Sequence, residues 1–569
     1  MPTPRSLSTA PNQDLDLQLV HGTWPETIHG EVLYSGPRVS GKSPAAIFDF
    51  GGLTRLSLRP GTYGAPADRF AFRTRPIQTP SKRLFDRAPE LFTGALNGYM
   101  SPFGSSNAAN TAPLPWGDRL FVTWDAGRPV ELNPDTFEFL AEVGTVDSWG
   151  GPSLPGTNLL PLVLSSAHPV IDPERNCLWT AKLDLNLAPS FSITPCVVRW
   201  EPDSTEVKQW PLEGITFNGS VHTVTQTRDW VILGDSGNFR VDIDEMMGAE
   251  RTVTTDDQAP LWLIRKDVLE RTPAGTPVRP VPLMVAPPGG HYYAQYDDSD
   301  GISIVWEAMD LTDLAMPHRL GDNDVNGNPM DPCMASLYNM ALAPDTLKEI
   351  RIDPNTGKVI DRGYYRTDDS FNLQLSAMDW TLEGLENPTL HHVIFQGARP
   401  GSVSQRSAAL YEGRFDPKLL AEETPGRLMS FRRGTLECTA TWDYPNTNEL
   451  ISSPTFAPRP GNDPAASRWA CGSPGGHDGW VVLPVLSDDG FRVDVFEADN
   501  VGAGPVAVLM GPNREQVPFK LHSAWMPSAS GSVVDVERLN FRSEMTEEAL
   551  ASVPEEHRPM VLEMADTLP

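Results

Sequence analysis

Short apolar runs of four to eight residues, each closed by Gly, Pro, Asn or Asp, recur from about residue 20 to about residue 540 of this chain. Examples are Asp118-Arg-Leu-Phe-Val-Thr-Trp, Cys177-Leu-Trp-Thr-Ala-Lys-Leu, Trp230-Val-Ile-Leu-Gly-Asp, Ile302-Ser-Ile-Val-Trp-Glu and Gly479-Trp-Val-Val-Leu-Pro-Val-Leu. Their β-branched and aromatic content predicts strands. Asn133-Pro-Asp-Thr, Asp172-Pro-Glu-Arg and Asp353-Pro-Asn-Thr-Gly predict hairpin tips between a strand and its return. Helical pattern is sparse: Arg265-Lys-Asp-Val-Leu-Glu-Arg, and the tail, where Ser543-Glu-Met-Thr-Glu-Glu-Ala-Leu predicts a capped start. The chain therefore reads as all-β, and so many short strands favour a β-propeller or a pair of β-domains over a sandwich. Residues 1–20 read as a flexible arm, 21–540 as a single domain without a linker, and 541–569 as a helical tail.

A length of 569 residues suits one large architecture of repeated units. The formal charge of −29 repels phosphates, which argues against nucleic acid as a partner and against electrostatic adsorption to anionic membranes. The cysteines, Cys177, Cys196, Cys333, Cys438 and Cys471, are odd in number and lack C-x-x-C spacing, so a reducing compartment fits them. The N-terminus has no apolar signal core and no stretch approaches a membrane span, which makes the cytoplasm the expected location.

Some motifs have plain explanations. Gly234-Asp235-Ser236-Gly237 spells the surroundings of a trypsin-like serine, but directly after Val231-Ile-Leu it reads as a hairpin turn. Asp322-Asn-Asp324-Val-Asn326-Gly327 opens like a calcium loop and fails at its twelfth position, Cys333, leaving a solvated loop. Asn218-Gly-Ser220 is a sequon only in a secreted chain. Four histidines carry more weight, because each stands beside a strand-like run: His168 in Ser-Ala-His-Pro-Val-Ile-Asp, His222 in Ser-Val-His-Thr-Val-Thr, His291 in Gly-Gly-His-Tyr-Tyr-Ala, and His522 in Lys-Leu-His-Ser-Ala-Trp. Neutral imidazoles are good ligands for a divalent transition metal and leave the ion its full charge. His21, His29, His318, His391, His392, His477 and His557 read as hydrogen-bonded core or turn residues.

The stretches around the four histidines, in order, resemble the carotenoid cleavage oxygenase family, which includes apocarotenoid- and stilbene-cleaving enzymes. The likeness begins at His21-Gly-Thr-Trp-Pro-Glu-Thr-Ile-His-Gly-Glu-Val-Leu-Tyr and runs through Ala108-Ala-Asn-Thr and Val130-Glu-Leu-Asn-Pro-Asp-Thr-Phe-Glu. It continues in Ala167-His-Pro-Val-Ile-Asp-Pro, Ser220-Val-His-Thr, Gly290-His-Tyr-Tyr-Ala-Gln-Tyr-Asp-Asp, Phe456-Ala-Pro-Arg-Pro-Gly, Asp478-Gly-Trp-Val-Val and Phe519-Lys-Leu-His-Ser-Ala-Trp. The resemblance implies a seven-bladed β-propeller, capped by loops and a few short helices, whose inner strands point His168, His222, His291 and His522 at one Fe(2+). It also implies carboxylates behind some of these ligands. The family's usual Glu aligns with Asp125 and Asp443, each one methylene shorter, so the backbone must approach or a water must bridge. A third acid has no good match, Glu449 being a poor candidate. In Phe48-Asp-Phe-Gly-Gly-Leu-Thr-Arg, Gly51 and Arg55 stand where the family usually has an Asp and a His.

The implied activity is cleavage of one C=C bond in an apolar conjugated alkene by O2, giving two carbonyl products. Trp124 stands where stilbene-cleaving members carry a Lys, and an indole cannot bind a phenolate, so an apocarotenoid is favoured over a hydroxystilbene. Three alternatives stay open: a stilbenoid-cleaving member, a non-catalytic binding propeller that has lost its iron, and a hydrolytic propeller centred on calcium. An apolar rim at a tunnel mouth would be the one route to peripheral membrane contact.

Overall fold

The turn residues build the hairpins. Asn133 Oδ1 accepts the amide N–H groups of Asp135 and Thr136 between the strands Val130–Leu132 and Phe139–Glu142. Asp172 Oδ1 does the same for Glu174 and Arg175 before Cys177–Asn186, and Asp353 Oδ1 holds Asn355 N–H before Lys358–Tyr365. Each is a side chain bonding to the backbone two residues on, which closes a turn locally. The computed structural model describes residues 12–37, 49–92, 100–154, 159–187, 190–246, 249–335, 337–377, 389–460, 478–512, 515–518, 520–527 and 533–568. Residues 1–11, Cys471 and His477 lie outside these.

The hairpins assemble into an all-β propeller arrangement with few helices. Among the described residues, five separate sheets of four or five strands follow one another along the chain, and a ten-stranded sheet joins its two ends. Separate blades therefore number five, where seven were expected. The cause is the strand Gln13–Gly22, which pairs with Arg69–Pro76 on one side and with Ala507–Met510 on the other. This strand also occupies much of the expected N-terminal arm. Leu15 and Leu17 are buried while Asp14, Asp16 and Gln18 alternate with them, the period-two signal of a half-buried strand. The last strand, His522–Met526, closes the ring by pairing with Glu31–Pro37.

Arg55 and Gly51 both have packing roles. Arg55 is buried, pairs with Glu31 at 2.7 Å, and donates to the carbonyls of Pro134 and Asp135, so it fastens the first sheet to the neighbouring hairpin. A Cβ on Gly51 would stand 2.1 Å from the Ala109 carbonyl oxygen. No larger residue fits there.

The helices are short. Lys266–Arg271 forms as the pattern predicts, and the tail holds Phe541–Glu544, Glu547–Ser552 and Arg558–Ala565. The cap of the second tail helix is Thr546 rather than Ser543, because Asn540 already caps a preceding turn that contains Ser543. Among the described residues, no helix is long and apolar enough to cross a membrane.

A buried cation locks the sheets that follow His168 and His222. Lys266 Nζ donates to Asp172 Oδ2 at 2.7 Å, to Gln226 Oε1 at 2.8 Å and to the Thr227 carbonyl at 2.7 Å, with both charged side chains fully buried. Burial pulls the ammonium down to about 8, against the opposing pull of Asp172. Lys266→Met is expected to lower unfolding free energy by about 3–5 kcal/mol, because it strands the Asp172 carboxylate. Urea unfolding checks this; a change below about 1 kcal/mol would mean the pair is dispensable.

Candidate metal centre

The backbone brings the four histidines together before any side chain acts. His168 N–H donates to the His222 carbonyl at 3.1 Å, and Val224 N–H donates to the His168 carbonyl at 2.9 Å, so an isolated parallel bridge laces the two segments beside these histidines. Thr223 Oγ1 donates to the Gly290 carbonyl at 2.7 Å and ties in the strand Gly289–Ala294, which carries His291. His522 begins the closing strand and pairs with Ser35, whose hydroxyl donates to the Thr111 carbonyl. Residues separated by most of the chain thus meet at one point.

The imidazoles converge there. Ring centroids lie 4.3 Å apart for His168 and His522, 4.6 Å for His168 and His222, 5.0 Å for His168 and His291, and 4.9 Å for His291 and His522. One ring nitrogen from each of the four lies within 4.8 Å of the others. Two imidazole nitrogens bonded across an ion at about 2.0–2.1 Å would stand roughly 4 Å apart, so this donor set can hold a divalent transition metal with slight contraction. Burial, and then the neighbouring imidazoles, pushes His168 well below the usual histidine range, and His522 behaves likewise. Both are neutral, the form that binds metals.

Comparison with known proteins shows the family of the chain. The family model described as Retinal pigment epithelial membrane protein (RPE65) matches residues 5–527. The chain belongs to the RPE65/carotenoid oxygenase family. The chain is 27% identical over 439 residues to an apocarotenoid-15,15'-oxygenase from Synechocystis sp., covering 74% of this chain and 73% of that relative. Its fold is similar to a cobalt-substituted form of the Synechocystis apocarotenoid oxygenase, with TM-score 0.59, 17% identity and coverage of 92% and 98% of the two chains. It is equally similar to the Pseudomonas brassicacearum lignostilbene dioxygenase, with TM-score 0.60, 15% identity and coverage of 92% and 97%.

Two carboxylates, Asp125 and Glu307, stand against histidines of this cluster. Asp125 reaches His222 directly: Nδ1 lies 3.0 and 2.9 Å from its two oxygens. The backbone has approached, since Ser165 N–H holds the Asp125 carbonyl at 2.7 Å and Asp125 Oδ1 accepts Ala167 N–H at 3.1 Å. Asp443 does not join the centre. It ends the strand Glu437–Asp443 at the edge of its sheet, its side chain is 65% exposed, and its contact is Arg427 at 3.4 Å. Glu449 is also elsewhere, bound to Arg492 at 2.6 Å.

The second carboxylate is Glu307, which sequence reasoning missed. Its side chain is fully buried, and its Oε2 lies 2.6 Å from His291 Nδ1. Its Oε1 accepts the hydroxyls of Tyr293 at 3.1 Å and Ser376 at 2.5 Å. Ser376 also meets His391 Nε2 at 3.0 Å. With Nδ1 of His222 and His291 committed to carboxylates, Nε2 is the nitrogen left for an ion.

The remaining motifs stay apart from this centre. Gly234-Asp235-Ser236-Gly237 opens a long loop rather than a hairpin, and Asp235 holds Arg240 through two oxygens at 2.7 and 2.9 Å. The Asp322 loop spends its acids locally: Asp324 accepts the N–H groups of Asn326 and Asn328, and Asp322 pairs with Arg406. His392 bonds to Ser430 at 2.7 Å, as a core histidine should.

Proposed function

We propose that this oxygenase cleaves one C=C bond of an apolar, conjugated, apocarotenoid-like alkene with O2, using one ferrous ion held by His168, His222, His291 and His522. When bound, the iron supplies the site at which O2 is activated. In the balanced reaction, one alkene and one O2 give two carbonyl products. The chain's own residues bind and orient. Asp125 and Glu307 accept the Nδ1–H of His222 and His291, fix their tautomers and supply negative charge that four neutral ligands lack. Burial of His168, His291 and His522 keeps water from their nitrogens. The single observation that carries the reading is the convergence of four ring nitrogens within 4.8 Å.

The apolar substrate is supported by Trp124, buried beside Asp125 where a phenol-reading Lys would have to stand. On this reading residues 21–540 are one catalytic unit, and the cytoplasm is its compartment. The test is anaerobic loading with Fe(II), metal analysis, and O2-dependent turnover of a panel of apocarotenals and hydroxystilbenes. Stoichiometric iron with aldehydes from apocarotenals is expected. Aldehydes from hydroxystilbenes alone would overturn the substrate, and stoichiometric calcium or no metal would overturn the oxygenase chemistry.

A further inference from the structure

The family match ends at residue 527, yet the chain continues in an ordered tail that reaches back to the loop carrying Asp125. Arg128, three positions after Asp125, is 4% exposed. Its guanidinium is gripped by Glu544 of the tail through two bonds of 2.9 and 3.0 Å, and by Glu142 from the other side. Glu544 also accepts Val146 N–H at 3.1 Å, so its carboxylate is fixed by backbone as well as charge. Two carboxylates around one buried guanidinium keep it ionised and in one orientation. Arg538 anchors the tail again through a forked pair with Glu131 at 2.9 and 3.0 Å. Farther on, Val553, Val561, Met564 and Leu568 join the apolar core beside Leu84 and Phe103.

Arg128 in turn bounds a loop with little freedom. Its own carbonyl accepts Asn107 Nδ2 at 2.9 Å, while Ser165 Oγ donates to the carbonyls of Gly127 at 2.6 Å and Trp124 at 3.0 Å. A Cβ on Gly127 would stand 2.2 Å from Asn107 Oδ1, so side chain and backbone are already in contact there. The aspartate side chain is short, and its reach to His222 Nδ1 at 2.9–3.0 Å depends on where this loop is held. We propose that Glu544 is a positioning residue for the metal centre, acting through Arg128 to hold Asp125 against His222. The tail is then a working part of the centre added beyond the family's common segment. This rests on the reading of the four histidines as a metal site.

The test uses the full chain, freed of metal and titrated with Co(II), whose visible bands report the ligand field whether or not any alkene is cleaved. Glu544→Gln is expected to weaken cobalt binding about three- to tenfold and to shift the bands, less than the roughly 10–100-fold typical of a carboxylate that touches a ligand. Arg542→Ala, which breaks the tail's own pair with Asp566 and leaves Arg128 untouched, is expected to stay within about twofold. In an Asp125→Asn background the Glu544→Gln effect should vanish, because the two changes lie on one path. An unchanged cobalt affinity in Glu544→Gln, or a loss that persists undiminished in Asp125→Asn, would reduce the tail to a stability clamp. If Glu544→Gln does not fold, Glu544→Asp, which keeps the charge and shortens the reach, is judged by the same criteria. Failure of the wild type to bind cobalt would instead remove the metal reading itself.

Discussion

His168→Ala is expected to empty the centre: bound iron falls from about one per chain to background, and O2-dependent cleavage falls by more than about a hundredfold, beyond what outer carboxylates usually cost. His168 has this leverage because its ring stands within 4.3–5.0 Å of all three other imidazoles. Its removal leaves a gap that none of them can fill without leaving its own strand. Folding should survive, since the bonds lacing His168 to His222 and Val224 are backbone bonds that alanine keeps. The checks are metal analysis, turnover and circular dichroism on the same preparation. Retained iron with full turnover would place His168 outside the ligand set.

How much of this was legible follows from the range of each interaction. Strands and hairpin tips are local: Asp172 reaches amide groups two and three residues on, so a turn can be read from a few letters. The histidines were legible as a set because four imidazoles beside strand starts matched an ordered resemblance. Blade separation was not, because Gln13–Gly22 pairs with residues up to 510, and nothing local says that one strand will serve two sheet edges. The clearest failure is Asp443. The tripeptide Thr-Trp-Asp occurs at both 123–125 and 441–443, but the first ends a buried strand turned toward the histidines and the second ends an exposed edge. Glu307 left a faint signal, an acid closing the apolar run Ile302-Ser-Ile-Val-Trp. Its nearness to His291 depends on a register shift between Gly289 and Tyr292 that only the assembled sheet reveals.

Glu307→Gln is expected to weaken iron binding by roughly 10–100-fold, whereas Asp443→Asn should leave it unchanged. Both swaps remove one negative charge at nearly constant volume, so the contrast isolates position from charge. Glu307 is fully buried and accepts on both oxygens, from His291 on one side and from Tyr293 and Ser376 on the other. A glutamine has only one accepting oxygen. Its NH2 must face either the hydroxyl pair or the imidazole, and in the second case the ring is driven to place its proton on Nε2, the nitrogen an ion needs. One buried donor left unmatched also costs about 1–3 kcal/mol of folding stability. Competition against a chelator gives the affinity, and urea unfolding of the metal-free protein gives the stability. Equal iron affinities in the two variants would mean that Glu307 serves packing alone, and that the charge balancing the four neutral ligands comes from Asp125.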